Sequence, residues 1–123
     1  MKIAVLDDNA AVGEMLQDAL HLVRHTVSVF LSPSQFLAAL SRASTVRSPF
    51  DLIIVDLFLS EGMSGIDAVN QARKTFPDLL AILITAGTSW DIEAARRAMP
   101  DIKILRKPFS LAALLNMVNE LSR

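Results

Sequence analysis

The chain predicts a doubly wound α/β fold, and three observations carry that prediction. Short apolar runs, several rich in β-branched residues, alternate five times with segments whose apolar residues recur at helical spacing. The run "DLIIVD" (51–56) is apolar on both faces, as a central parallel strand covered on each side must be. No repeat, linker or low-complexity tract interrupts the alternation. Such order implies one parallel sheet with right-handed crossovers and helices on both faces.

The elements follow in order. "KIAVLDD" (2–8) reads as the first strand and ends in two acids. Val12, Met15, Leu16, Ala19, Leu20 and Val23 then recur at helical spacing, with Asn9 placed as the N-cap. His21 and His25 bracket the end of that helix, a position suited to dipole or surface roles. "TVSVF" (26–30) is a second strand; Ser32-Pro33 opens a helix bearing Phe36, Leu37 and Leu40, with Pro at its tolerated first position. "SRASTVRSP" (41–49) reads as a surface loop before the third strand, 51–56. Gly65 precedes a helix with Ile66, Val69, Ala72 and Phe76, which Pro77 stops. "LLAILIT" (79–85) is the fourth strand, followed by Gly87, a Thr88/Ser89 cap and a short helix to Met99-Pro100. "IKIL" (102–105) is the fifth, and Ser110 caps a last helix striped by Leu111, Leu114, Leu115, Val118 and Leu121.

Composition narrows the function classes. A length of 123 residues fits one domain, 1–123, with a full core. With 52% apolar and 20% charged residues, the chain is not disordered. A net charge of −1 without a basic stripe argues against a nucleic-acid surface. The lack of cysteine removes disulfides, thiolate nucleophiles and cysteine metal sites together. Only four apolar residues separate Lys2 from Asp7, too few for a secretory signal, and no apolar run approaches the roughly 18 residues of a membrane span. The expectation is a soluble, cytoplasmic protein.

Chemistry concentrates at the strand ends. The first ends in Asp7-Asp8, the third in Asp56, the fourth in Thr85-Ala86 and the fifth runs into Lys107-Pro108. Doubly wound sheets place ligand sites at these carboxyl ends. Three carboxylates gathered alone would repel, and a hard divalent cation with oxygen ligands, Mg²⁺ foremost, resolves the repulsion. A lone carboxylate between Val55 and Leu57 is costly unless compensated, so Asp56 is expected between that metal and Lys107. Asp56 so placed can be a nucleophile that forms an acyl phosphate. Lys107 and the Thr85 hydroxyl are then available to phosphoryl oxygens.

In these motifs the chain resembles the receiver domain of bacterial two-component response regulators, over essentially its whole length. The resemblance implies a flavodoxin-like sheet in the order 2-1-3-4-5 with five helices. It assigns the acidic pair to Asp7 and Asp8, the phosphorylated residue to Asp56, the switch hydroxyl to Thr85 and the lysine to Lys107, with a cis bond to Pro108. It implies Mg²⁺ held by Asp7, Asp8, Asp56 and the Phe58 backbone carbonyl, Asp7 acting partly through water. It further implies a sensor histidine kinase or phosphotransfer protein as phosphoryl donor, and a phosphoacceptor rather than a turnover enzyme. Phe58 and Gly87, two places after Asp56 and Thr85, border the path of hydrolytic water in the family; a bulky apolar ring and a missing side chain imply slow autodephosphorylation.

Three positions depart from the family pattern. Ile104 stands where an aromatic is usual, Ser60 replaces a common Pro, and Asp56 to Gly65 is one residue longer than the commonest spacing, so "SEGMSG" should form an enlarged loop. Ile104 cannot act as a turning aromatic; with Trp90 it is expected to form an apolar patch for a homodimer or a downstream protein. A haloacid-dehalogenase-type phosphatase would need a second acid two residues after its nucleophile, where this chain has Phe58. A flavodoxin would need a Ser/Thr/Gly-rich phosphate loop where this chain has Asp7-Asp8. The alternative that survives is a non-phosphorylated pseudo-receiver acting as a docking module. No effector domain follows the fifth helix before Arg123, and a stand-alone receiver and an excised one are both open.

Overall fold

The computed structural model describes residues 1–43 and 47–122. Its elements are β1 (Lys2–Leu6), α1 (Ala10–Leu22), β2 (Thr26–Phe30), α2 (Pro33–Arg42), β3 (Leu52–Asp56), α3 (Gly65–Thr75), β4 (Leu80–Thr85), α4 (Ser89–Ala98), β5 (Lys103–Arg106) and α5 (Leu111–Leu121). The five strands form one sheet in the order β2-β1-β3-β4-β5, and every neighbouring pair is parallel. The chain leaves β1 towards β2 on one side and returns to β3 on the other. The carboxyl ends of β1 and β3 therefore flank the topological switch point, where such sheets hold their ligands.

Alternation along each central strand divides the core in two. Ile3, Val5, Leu52, Ile54, Ile82 and Ile84 pack with Leu16 and Leu20 of α1 and Leu114 and Val118 of α5. Ala4, Leu6, Ile53, Val55, Ala81 and Leu83 pack on the opposite face with Phe36, Val69, Ala72 and Ala95 from α2, α3 and α4. Each fully buried Leu or Ile contributes about 1.5–3 kcal/mol of transfer free energy, so β3, buried at all five positions, is strongly fixed in register. No helix among the described residues is long and apolar enough to cross a membrane.

Side-chain caps begin all five helices: Asn9, Ser32, Ser64, Thr88 and Ser110 each accept a backbone N–H of the following turn. Such a cap is worth about 1 kcal/mol. Element ends depart from the sequence expectation in small ways. β1 stops at Leu6 and frees Asp7 and Asp8 into the following loop, while β3 starts at Leu52. β5 covers Lys103–Arg106 rather than 102–105, because the Ile102 N–H closes the turn after α4 on the Met99 carbonyl at 3.1 Å. Gly65 is the first residue of α3 rather than the one before it, since Ser64 and Asp67 form a capping box. The expected loop 41–49 is shortened by α2, which runs through Arg42, and its residues 44–46 lie outside the described residues.

Candidate functional site

Strand β1 delivers Asp7 directly beneath the sheet's mouth. Its N–H donates to the Phe30 carbonyl at 3.1 Å, and its Oδ1 accepts the Asn9 N–H at 2.9 Å. Asp7 is fully buried, Asp8 is exposed beside it, and Asp56, the last residue of β3, is 8% exposed. One carboxylate oxygen from each of the three lies within 4.8 Å of the others. Lys107 reaches the same point from the loop after β5, its Nζ donating to Asp56 Oδ2 at 2.9 Å and to Asp7 Oδ2 at 3.1 Å. The Lys107–Pro108 bond is cis, as the resemblance implied.

The electrostatics follow from three carboxylates facing one ammonium. Burial pushes the Asp7 carboxyl above its ordinary value, partly countered by the Asn9 N–H and by Lys107, while the Asp56 charge pushes the same way as burial. For Lys107, burial acts to lower the pKa, but the hydrogen bonds and charges of Asp56 and Asp7 outweigh it and the net shift is upward. Lys107 is therefore a fixed cation, yet it neutralises only one of three acids. The donor set is all oxygen, partly buried and left with excess negative charge. That chemistry fits a hard divalent cation.

Two further residues complete the rim. The Phe58 N–H donates to Asp56 Oδ1 at 3.2 Å, so the backbone at Phe58 folds back over the acid. Thr85 ends β4 fully buried; its Oγ1 accepts the Gly87 N–H at 2.9 Å and its carbonyl accepts the Lys107 N–H at 2.8 Å. Asp7, Asp8, Asp56 and Lys107 thus meet at one point and Phe58 adjoins them. The Thr85 hydroxyl is turned to the loop leading into α4. Trp90 and Ile104 lie apart from this site: Trp90 is 80% exposed, whereas Ile104 is half-buried against the core.

The site also contains residues that sequence reasoning passed over. Gly65 sits so close to the end of β3 that an added Cβ would collide with the Asp56 carbonyl oxygen. The loop between β3 and α3 is a small hairpin, with Phe58 bridged antiparallel to Ser64 around Glu61-Gly62. Its one visible signal in the sequence is the lengthened spacing from Asp56 to Gly65.

The five-stranded parallel sheet in the order 2-1-3-4-5 with five helices is a flavodoxin-like α/β fold, and its carboxylate–lysine cluster lies at the switch point. The profile of the response regulator receiver domain matches residues 3–119, and the chain belongs to that family. Domains of this family function as phosphoacceptors rather than as turnover enzymes, and the acidic cluster of this chain is consistent with the phosphoacceptor and divalent-metal site typical of them. The chain is 32% identical over 119 residues to the response regulator protein FleR of Pseudomonas aeruginosa, covering 95% of this chain and 24% of FleR. It is 27% identical over 123 residues to the transcriptional regulatory protein QseB of Haemophilus influenzae, covering all of this chain and 53% of QseB. The chain thus spans about a quarter and about half of these two relatives. A CheY-like receiver domain protein from Methanospirillum hungatei JF-1 shares the fold, with a TM-score of 0.83 at 23% identity over 98% of this chain and 93% of that one.

Proposed function

We propose that Asp56 is the phosphoacceptor of a two-component phosphorelay and takes its phosphoryl group from the phosphohistidine of a sensor histidine kinase or phosphotransfer protein. The observation that carries this reading is the junction at Asp56 Oδ2, 2.9 Å from Lys107 Nζ, inside a cluster of three carboxylates within 4.8 Å. Asp7, Asp8, Asp56 and the Phe58 carbonyl would hold Mg²⁺, which when bound supplies positive charge to the transferring phosphoryl oxygens. An Asp56 oxygen attacks phosphorus; the new O–P bond forms as the N–P bond breaks, and its electron pair returns to the imidazole nitrogen of the donor. Lys107, already charged and aimed at Asp56, pairs with a phosphoryl oxygen, and the Thr85 hydroxyl turns from the Gly87 N–H to donate to another.

The output of this reading is a surface that includes Trp90 and Ile104, used by a second copy of the chain or a downstream protein. A cysteine-free chain with a phosphohistidine donor belongs in the cytoplasm. Intact mass spectrometry with acetyl phosphate and Mg²⁺ should show a single phosphoryl addition to the wild type, lost in Asp56→Asn and with EDTA. Addition of similar extent in Asp56→Asn would overturn the assignment. No addition to the wild type would favour the docking-module alternative.

A further inference from the structure

Glu61 and Gly62 have φ of 65° and 67°, two successive residues in the left-handed region. Around them the Met63 N–H reaches the Ser60 carbonyl at 3.4 Å, Phe58 pairs with Ser64, and the Gly65 N–H donates to the Leu57 carbonyl at 2.8 Å. The turn Ser60–Met63 has both central residues left-handed, the pattern of a type I′ turn, which favours Asn, Asp or Gly at its first central position; it lies inside the longer loop that the Phe58–Ser64 bridge closes. Glu is a poor choice there, and a strained non-glycine residue near an acceptor site calls for a compensating contact.

The contact is on α2. Glu61 Oε1 accepts the Ser34 N–H at 3.1 Å. Helix α2 has no acid in its own first turn; Pro33 lacks an N–H, and Ser32 Oγ already takes the Gln35 N–H. A carboxylate from outside the helix therefore fills the open place at its positive end. The bonds from Ser34 foremost, and from Ser32, hold the Glu61 carboxyl below its ordinary value. The hairpin so anchored begins at Phe58, whose N–H holds Asp56 Oδ1.

We propose that Glu61 is a positioning residue for the phosphoacceptor. Its carboxylate ties the β3–α3 hairpin to the N-terminus of α2, and thereby keeps the Phe58 backbone set against Asp56. This rests on the phosphoacceptor reading of Asp56.

The test uses the full chain as wild type, Glu61→Asn and Glu61→Gln. Asn suits the turn better than Glu but is too short to reach Ser34; Gln keeps the reach without the charge. Amide exchange at Ser34 should accelerate about threefold to tenfold in Glu61→Asn, with Ile54 exchange unchanged as the fold control. Phosphoryl incorporation from acetyl phosphate should slow by a similar factor, and Glu61→Gln should recover much of both. Wild-type Ser34 exchange in Glu61→Asn would show that no tether exists. Accelerated exchange with an unchanged phosphorylation rate would show a tether that positions nothing. Each of these overturns the proposal. A wild type that takes no phosphate overturns the phosphoacceptor reading itself, an outcome separable from a missing tether by the exchange measurement.

Discussion

Phe58 is half-exposed, and its ring lies against Gly87: a Cβ added at Gly87 would come within 2.9 Å of Phe58 Cε2. The residue thus has two parts with separate work. Its backbone N–H holds Asp56 Oδ1, and its ring occupies the space beside Gly87 that a side chain at that position would need. Hydrolysis of an acyl phosphate needs water aligned opposite the Asp56 oxygen, and positioning of that water is worth orders of magnitude in rate. An apolar ring offers it no hydrogen bond, and Gly87 has no side chain to add one. Phe58→Asn keeps the backbone contact and supplies a polar group, so phosphorylated protein should lose its phosphate faster by on the order of tenfold, about 1.4 kcal/mol of barrier. The decay is followed by intact mass after the donor is removed; a variant that decays no faster than the wild type would refute an effect of the ring on hydrolysis.

At the scale of elements, α3 shows how tightly one helix start is built into the acceptor strand. Its first residue, Gly65, lies against the Asp56 carbonyl, and an added Cβ would also sit 3.2 Å from Leu57 Cα. These are backbone atoms of a buried strand end and of the residue after it, which cannot swing aside as a side chain would. Gly65→Ala should therefore destabilise the fold by about 1–3 kcal/mol, the usual range for forced overpacking, and a urea midpoint equal to wild type would contradict this. The five elements of each kind were legible in the sequence because each signal is local: a cap such as Asn9 or Thr88 acts within three residues, and β3 announces itself in five consecutive apolar-to-acid positions. The cluster of Asp7, Asp8, Asp56 and Lys107 was legible for a related reason, since all four sit at or just past strand ends of a parallel sheet, even though Lys107 and Asp7 are 100 residues apart. Competing turn bonds and distant partners were not legible. The shift of β5 comes from a turn bond between Ile102 and Met99, and the hairpin at Glu61-Gly62 depends on a donor, Ser34, 27 residues earlier. Glu-Gly is a weak turn signal on its own, and the direction of the Thr85 hydroxyl leaves no trace in residue order.

For the whole molecule, the question is how a charge added at Asp56 reaches a partner. On the proposed phosphoacceptor reading the route would start at Thr85, whose hydroxyl holds the Gly87 N–H; turning that hydroxyl to a phosphoryl oxygen would leave the N–H to find another acceptor, a change worth about 1 kcal/mol. Only Thr88, the cap of α4, separates Gly87 from Ser89, and Ser89 Oγ accepts from Arg106 Nη2 of β5 at 3.0 Å. A shift of this loop therefore moves the start of α4 relative to β5. Two surface cavities meet there and share Ser89 and Glu93: one of about 270 Å³ beside Trp90, the other of about 350 Å³ floored by Ile104 between Arg96 and Arg106. A half-buried Ile104 gives that floor a fixed apolar base, and the 80% exposed Trp90 is the kind of anchor that binding surfaces concentrate their energy on. Such a surface answers to the acceptor site only if a partner binds its two arrangements with different affinity. Sedimentation of wild type, Trp90→Ala and Ile104→Asp, with and without beryllofluoride and alongside capture by the cognate kinase, measures that difference. The wild type should change its self-association or partner capture when the mimic is added, and Trp90→Ala should weaken the favoured complex by about tenfold or more. Ile104→Asp should do the same while its melting curve shows that the core has held; if neither substitution alters association in either state, the signal leaves the molecule elsewhere.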